Sequence, residues 1–136
     1  MADLGFWALA EADPDHVAVV TPEGGEVRAG DLLADANRLV HALRSLGLET
    51  GDSFAVLLPN CREFIELYLA AGQAGFYLVP INHHLVGPEI AYIVADSEAK
   101  AFFAHERFAD AATAAADELD YPKEARFAVG DIPGFG

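Results

Sequence analysis

The sequence predicts an α/β protein with an open, mainly parallel sheet, helices on both faces and an N-terminal hairpin. Three runs of strand length support this prediction, namely Phe54–Leu58, Phe76–Ile81 and Lys100–Ala104. The segments between them are too long for hairpin turns and carry helical patterns, which predicts parallel strands joined by right-handed crossovers. A strand that is apolar on both faces is typical of a parallel sheet covered by helices on both sides.

The chain of 136 residues has the length of one domain, and we assign residues 1–136 to a single domain. Residues 1–28 are predicted to form an N-terminal segment and a hairpin, because Val17–Thr21 and Glu26–Arg28 flank a turn with two glycines. Residues 29–130 are predicted to hold the α/β crossovers.

Two aromatic residues and a leucine stand near the start of the chain. Phe6, Trp7 and Leu9 are expected to pack a terminal helix onto its own domain, since such residues do so more often than they bind a partner or a lipid chain.

The first long helix is predicted from apolar residues at three- and four-residue steps. It should run from about Gly30 to Leu46 and end at Gly47. Asp35, Arg38 and Arg44 fall off the apolar stripe and are expected to face water.

The second helix has a different pattern. Asn60 and Glu63 have the spacing of a capping box, and the residues from Phe64 to Ala71 are apolar almost all round the helix. This pattern predicts burial on two sides. The segment Gly72–Gly75 is interpreted as the stop of this helix, and not as a phosphate-binding loop.

The remaining elements follow in order. Pro88 suits the first turn of a third helix, which should end near Ser97. Alanine-rich residues predict a fourth helix over Glu106–Leu119, and Arg126–Val129 is interpreted as a fourth strand.

Composition excludes several classes of partner and location. The 22 acidic residues against 8 basic residues give a net charge of −14, which repels phosphate backbones and makes nucleic acid an unexpected partner. The start lacks the basic and apolar parts of a secretory signal, and no run approaches the roughly 20 apolar residues that cross a bilayer. We expect a cytoplasmic protein whose membrane contact is at most peripheral.

Ligands of open α/β sheets bind beyond the carboxyl ends of the strands. Those positions hold Pro59-Asn60, Ile81-Asn82 and His105, with no carboxylate to accept a phosphoryl group. The chain has neither a Gly-x-Gly-x-x-Gly motif nor a Gly-x-x-x-x-Gly-Lys motif. We therefore assign no catalytic, cofactor-binding or metal-binding residue.

The histidines and the single cysteine are expected to have structural roles. His83 and His84 should point to opposite sides of an extended chain, so they do not share a metal ion. Asp13 to His16 has the composition of a turn. Cys61 has no thiol with which to form a disulfide, which fits a reducing compartment, and is expected to be a quiet, partly buried thiol.

Taken in order, these segments resemble the start of the adenylate-forming acyl-CoA synthetases, also called AMP-binding enzymes. The resemblance covers nearly the whole chain to about Ala104. It rests on the helix Leu32–Leu43, the segment Gly51–Asn60, the pair Glu63-Phe64, Tyr68–Ala70, the strand from Gly75 to Pro80 with Ile81-Asn82, Leu85, Pro88–Val94 and Asp96–Lys100. The chain departs from the family pattern where Arg28-Ala29 replaces a Thr-Tyr pair and Val86 replaces a threonine, and both changes remove an expected helix cap.

The resemblance implies a parent enzyme of the fatty-acyl-CoA synthetase type. Such an enzyme joins a carboxylic acid, here a fatty acid, to coenzyme A through an acyl-adenylate, using ATP and Mg²⁺. The family's phosphate loop, nucleotide contacts and catalytic lysine come after the matched region. By resemblance, the chain is the N-terminal part of the large domain and is inactive alone.

The alternative is a free-standing α/β module that kept this fold for association. Either hypothesis predicts self-association of the isolated chain, because a sheet edge and apolar helix faces would be left uncovered.

Overall fold

The computed structural model describes residues 6–136, so the first five residues of the predicted N-terminal segment lie outside the described residues. The elements in chain order are α1 (Phe6–Ala12), β1 (Val17–Val20), β2 (Glu26–Arg28), α2 (Ala29–Ser45), β3 (Ser53–Leu57), α3 (Arg62–Ala74), β4 (Tyr77–Pro80), α4 (Gly87–Asp96), β5 (Phe102–His105), α5 (Ala109–Glu118) and β6 (Arg126–Val129).

The predicted α/β architecture is confirmed. β1 and β2 form an antiparallel hairpin, and the other strands form a parallel sheet of four strands in the order β4-β3-β5-β6. In the register of this sheet, Val56 on β3 lies between Pro80 on β4 and Phe103 on β5. The apolar runs predicted β3 and β5 because a strand buried on both faces has no polar alternation.

Helices cover both faces of the sheet, as predicted. α2 and α3 pack over one face against Phe54, Val56 and Phe103. α4 and α5 pack over the other against Leu57, Phe102 and further small residues. The Phe54 ring meets Phe103 edge-on at 5.6 Å between ring centroids, which fills the centre of the first layer.

The outer side of α3 is open, which corrects the prediction that this helix is buried on two sides. Leu67 and Ala70 are buried, whereas Tyr68 is 66% exposed and Ile65 is 36% exposed. Among the described residues, α2 and the sheet cover one side of α3, and the β1–β2 hairpin faces Ile65 across a cleft. Tyr68 stays open to solvent.

The expectation for the terminal helix is also partly wrong. Ala10 is buried, but Trp7 is 42% exposed and Leu9 is 45% exposed. A helix of seven residues packs against the rest of the domain with one side. In α1 this side carries the small Ala10, and the larger side chains of Trp7 and Leu9 lie at the surface.

The two helices that begin at the departures from the family pattern, α2 and α4, have no side-chain cap. Arg28 and Val86 are the N-cap residues of α2 and α4, and neither gives a capping hydrogen bond from its side chain. At α4, the Glu89 carboxylate accepts a hydrogen bond from the Val86 N–H at 3.2 Å, which is one half of a capping box.

The segment predicted as one helix over Glu106–Leu119 is divided. Glu106–Phe108 forms a short 3-10 turn, and α5 begins at Ala109.

None of the helices within residues 6–136 combines the length and the apolar character needed to cross a membrane.

Candidate functional site

The carboxyl ends of the parallel strands meet at one edge of the sheet. Asn60 follows β3, Asn82 follows β4 and His105 ends β5, as the parallel pairing requires. This edge is where ligands bind in other open α/β sheets, which makes it the candidate functional site.

The β3 end corrects the predicted capping box. Asn60 lies in a bend, and the N-cap of α3 is Cys61, which has an extended backbone and makes no side-chain cap bond. The helix therefore starts later than predicted, and Glu63 stands at its second position, one short of the position that a capping box requires. Burial raises the pKa of the Cys61 thiol, which supports the prediction of a quiet thiol.

A cleft of about 360 Å³ opens beside Cys61. The hairpin contributes Val19 and Pro22 to its wall, and α3 contributes Phe64 and Ile65. Its lining is mainly apolar, so the cleft offers packing surface more than polar recognition.

The histidine pair after β4 adopts a turn, which overturns the geometry expected from an extended chain. The Asn82 Oδ1 accepts a hydrogen bond from the His84 N–H at 2.9 Å, and this bond folds the chain back. The His83 and His84 rings lie side by side at 4.3 Å between centroids. His83 also stacks on Phe108 at 4.8 Å, so the expected packing role is supported.

His105 has a local structural contact. Its Nδ1 accepts a hydrogen bond from the Arg107 N–H at 3.0 Å and so caps the 3-10 turn after β5. Within residues 6–136, no group of three or more His, Cys, Asp or Glu side chains is placed to hold a metal ion.

Glu106 joins the ends of β5 and β6. Its Oε2 accepts a hydrogen bond from the Asp131 N–H at 2.9 Å. Gly130 has φ +91°, a left-handed backbone conformation that glycine adopts without strain, and a Cβ there would force the Glu106 carboxyl group to move.

A charged cluster between α2 and α3 was not predicted from the sequence. Asp35, expected to face water, is partly buried and pairs with both Arg38 and Arg62. Arg62 also donates to Glu66 at 3.1 Å. The spacings of Asp35 to Arg38 and of Arg62 to Glu66 were visible as helix pairs, but the packing of α2 on α3 that joins them was not.

The two carboxyl groups of this cluster have opposite pKa shifts. Burial and then a hydrogen bond with Asp35 raise the pKa of Glu66 to about 7. The same hydrogen bond, together with the Arg62 guanidinium, lowers the pKa of Asp35. Glu66 is therefore the weaker acid of the two carboxyl groups.

Comparison with known proteins identifies the family. The family model described as AMP-binding enzyme matches residues 6–131, which is most of the chain. This chain belongs to the AMP-binding enzyme family. The resemblance noted in the sequence, from the first long helix to Lys100, is confirmed.

Individual AMP-binding relatives agree with this assignment. FadD13, a long-chain-fatty-acid–CoA ligase of Mycobacterium tuberculosis, is 38% identical over 105 residues, which are 74% of this chain and 20% of FadD13. A feruloyl-CoA synthase of an Amycolatopsis species is 36% identical over 97 residues, which are 71% of this chain and 20% of that synthase.

The solved structures agree in fold. The inhibitor-bound N-terminal domain of FACL13 from Mycobacterium tuberculosis superposes with a TM-score of 0.80 and 31% identity, covering 93% of this chain and 32% of that domain. The chain spans about a fifth of the length of the curated relatives it matches.

Proposed function

We propose that this chain is the N-terminal part of the large domain of an ATP-dependent acid–CoA ligase. The observation that carries the proposal is the match of residues 6–131 to the AMP-binding enzyme family, combined with a span of about a fifth of the relatives' length. In this proposal the segment is a scaffold, and the catalytic groups belong to other parts of the parent enzyme.

The parent reaction would have two steps. A carboxylic acid attacks ATP to give an acyl-adenylate and pyrophosphate with the help of Mg²⁺, and the thiol of coenzyme A then displaces AMP. The strand ends described here present Asn60, Asn82 and His105 without a glycine-rich loop. These residues do not make a phosphate site, so we assign no contact with ATP, Mg²⁺ or coenzyme A to this segment.

A fatty acid is the proposed acid. The relative FadD13 is a long-chain-fatty-acid–CoA ligase, which supports this choice. The relative that is a feruloyl-CoA synthase makes an aromatic acid the alternative. The test is thioester formation by the parent enzyme with palmitate and with ferulate. A higher kcat/KM for palmitate supports the proposal, and a higher kcat/KM for ferulate overturns it.

The second candidate is a free-standing, non-catalytic association module. It is favoured by the side chains at the strand ends, because His83, His105 and Glu106 are engaged in packing or backbone contacts. For either candidate we propose a cytoplasmic location, no nucleic-acid partner and at most peripheral membrane contact.

Sequencing the source gene past the codon for Gly136 separates the two candidates. In-frame continuation into a loop rich in serine, threonine and glycine, followed by lysine, supports the ligase. A stop codon supports the module. ATP–pyrophosphate exchange is the biochemical counterpart: we expect none from residues 1–136 alone, and exchange by this chain would contradict the scaffold role.

A further inference from the structure

The two outer strands of the parallel sheet, β4 and β6, have different free edges. At β4, Pro80 has no N–H and so cannot continue a ladder of hydrogen bonds. At β6, a backbone segment already pairs with the strand. The Gly136 N–H donates to the Arg126 carbonyl at 2.8 Å, and the Gly136 carbonyl accepts a hydrogen bond from the Ala128 N–H at 2.9 Å.

These two bonds have the pattern of a parallel ladder. In a parallel pair, one residue donates to the residue before its neighbour and accepts from the residue after that neighbour, whereas an antiparallel pair exchanges both bonds with one residue. Arg126 and Ala128 flank Phe127, so Gly136 stands beside Phe127 in parallel register. Gly136 therefore has the pairing of a residue in a strand next to β6.

The connection from β6 to Gly136 is held by its own side chains. Ile132 is 1% exposed, and the Phe135 ring lies edge-on to Phe102 at 6.0 Å between centroids. Both residues pack on the α4–α5 side of the sheet. The connection is shorter than a helical crossover because it returns the chain only from Val129 to the level of Phe127. Packing and hydrogen bonds together fix Gly136 at the edge.

An apolar groove of about 330 Å³ lies beside Gly136 on the α2–α3 side, and its lining includes Leu39, Phe127 and Val129. Phe127 and Val129 are half-buried, whereas Phe103 on the inner strand β5 is buried. Side chains alternate along β6, because Phe127 and Val129 face α2 and α3 while Ala128 faces the other side. In the register of Gly136 with Phe127, the second residue after Gly136 would stand beside Val129 and face this groove.

We infer that the segment that follows Gly136 in the parent enzyme adds a fifth parallel strand to the β6 edge. The second residue of this segment is apolar and fills the groove, and its N–H donates to the Ala128 carbonyl, which alternation leaves on the outer side of β6. The inference rests on the proposed ligase parent. It is supported by the share of the FACL13 N-terminal domain that this chain covers, 32%, because most of such a domain lies outside the matched part.

A disulfide in the parent enzyme tests the register. Neighbouring strands lie about 4.8 Å apart, which is within reach of a disulfide. Val129→Cys is combined with a cysteine in place of the second residue after Gly136, and Cys61→Ser removes the native thiol of this segment. We expect this pair to form a disulfide on mild oxidation, measured by mass spectrometry of the linked peptides.

Ala128→Cys with the same partner is the matched control. Its side chain faces the opposite side of the sheet, so the yield of the disulfide should be lower by at least about tenfold. Equal yields for the Val129 and Ala128 variants would overturn the parallel register.

Hydrogen exchange of the unaltered parent decides the case in which the cysteine variants fail to fold. The residues directly after Gly136 should exchange their amide hydrogens at least about tenfold more slowly than an unstructured peptide. Exchange at the rate of an unstructured peptide overturns the added strand.

Thioester formation by the same preparation tests the proposed function separately. An active ligase with an unprotected segment after Gly136 overturns the added strand alone. A protected segment in an inactive protein supports the strand and contradicts the ligase. A stop codon directly after the codon for Gly136 overturns both.

Discussion

Glu66 and Arg126 are the buried charged residues among residues 6–136, with 7% and 5% exposure, and they lie on opposite faces of the sheet. Glu66 belongs to the α2–α3 side, where it pairs with Arg62, and the neighbouring Asp35 pairs with both Arg38 and Arg62. Arg126 belongs to the α4–α5 side, where backbone carbonyls surround it. A guanidinium held by fixed backbone dipoles stays ionised, whereas burial raises the pKa of a carboxyl group and makes its charge depend on pH.

The Arg126 site shows how fixed dipoles do this. Its Nε and Nη2 donate to the Tyr121 carbonyl at 2.9 and 2.7 Å, and Nη2 also reaches the Ala116 carbonyl near the end of α5. Nη1 donates to the Asp117 Oδ1 at 3.0 Å. A cation at a helix C-terminus is stabilised by the helix dipole, and a guanidinium stays charged at all physiological pH values.

The largest expected effect is from Arg126→Met. This change leaves the Tyr121 carbonyl without its side-chain donor and removes the ion pair with Asp117, while the Ala116 carbonyl keeps the hydrogen bond from the Tyr121 N–H. We expect it to lower the free energy of unfolding by about 3 kcal/mol. Urea unfolding followed by circular dichroism measures the change. Lys123→Met is the control, because it removes an exposed cation from the turn just before β6.

Arg126→Met also distinguishes the buried cation from the buried carboxyl group of Glu66 by its pH dependence. The loss caused by Arg126→Met should be equal at pH 5.5 and pH 8, since neither the guanidinium nor the carbonyls titrate in that interval. A loss that changes by more than about 1 kcal/mol between these pH values would show that the two buried charges do not differ in the way described.

The packing of the two sides differs as well. On the α4–α5 side, Ala112, Ala115 and Ala116 are almost fully buried, and a Cβ at Gly87 would lie 2.9 Å from the Ala114 Cβ. The helices therefore approach closely through small residues. We expect Ala115→Leu to cost about 1 to 3 kcal/mol, because the added atoms force the helices apart.

Ala95→Leu provides the control for this prediction. Ala95 is exposed on α4, so added volume there can extend into solvent. Thermal unfolding of both variants measures the difference. Equal melting temperatures for the two would mean that the α4–α5 seam has room for a larger side chain.

The elements of both sides were predictable from local patterns, and their contacts were not. Apolar runs predicted the strands within one or two residues, and for β3 and β5 the reason is that burial on both faces removes polar positions. The pairing of Asp35 with Arg62 depends on how α2 packs on α3, between residues far apart in sequence. The turn at His83 depends on the side chain of Asn82, and the late start of α3 depends on one extra extended residue after Pro59.

The position of Arg126 in the sequence could have been used to predict a buried charged site. It stands in a short strand otherwise made of Phe127, Ala128 and Val129. A charged residue at the start of such a strand needs a buried partner, which predicts a nearby helix end. Its actual acceptors, the carbonyls of Ala116 and Tyr121, could not be named without the path of the chain after α5.

A smaller effect is expected at the start of α4. Val86 has the extended backbone of an N-cap residue but no side-chain oxygen. Val86→Thr should raise the free energy of unfolding by about 1 kcal/mol, since the new hydroxyl can accept the Glu89 N–H. Val86→Ala is the control, and a gain of equal size in both variants would point to side-chain exposure and not to capping.

The smallest effect on stability, and a large one on association, is expected from Tyr68→Ser. Tyr68 lies with Phe64, Phe76 and Tyr77 around an apolar groove of about 450 Å³ beside the edge strand β4. Because Pro80 has no N–H and the Tyr77 N–H bonds to the Asp52 carbonyl, the edge offers few free donors, and we expect the chain to self-associate through this side-chain surface. Tyr68→Ser should change the free energy of unfolding by less than about 0.5 kcal/mol, and it should shift the mass measured by size-exclusion chromatography with light scattering toward that of the monomer.

Tyr92→Ser, at an equally exposed tyrosine on α4, should leave the mass unchanged. A monomeric unaltered chain, or equal shifts for both variants, would show that the α3 surface does not mediate association.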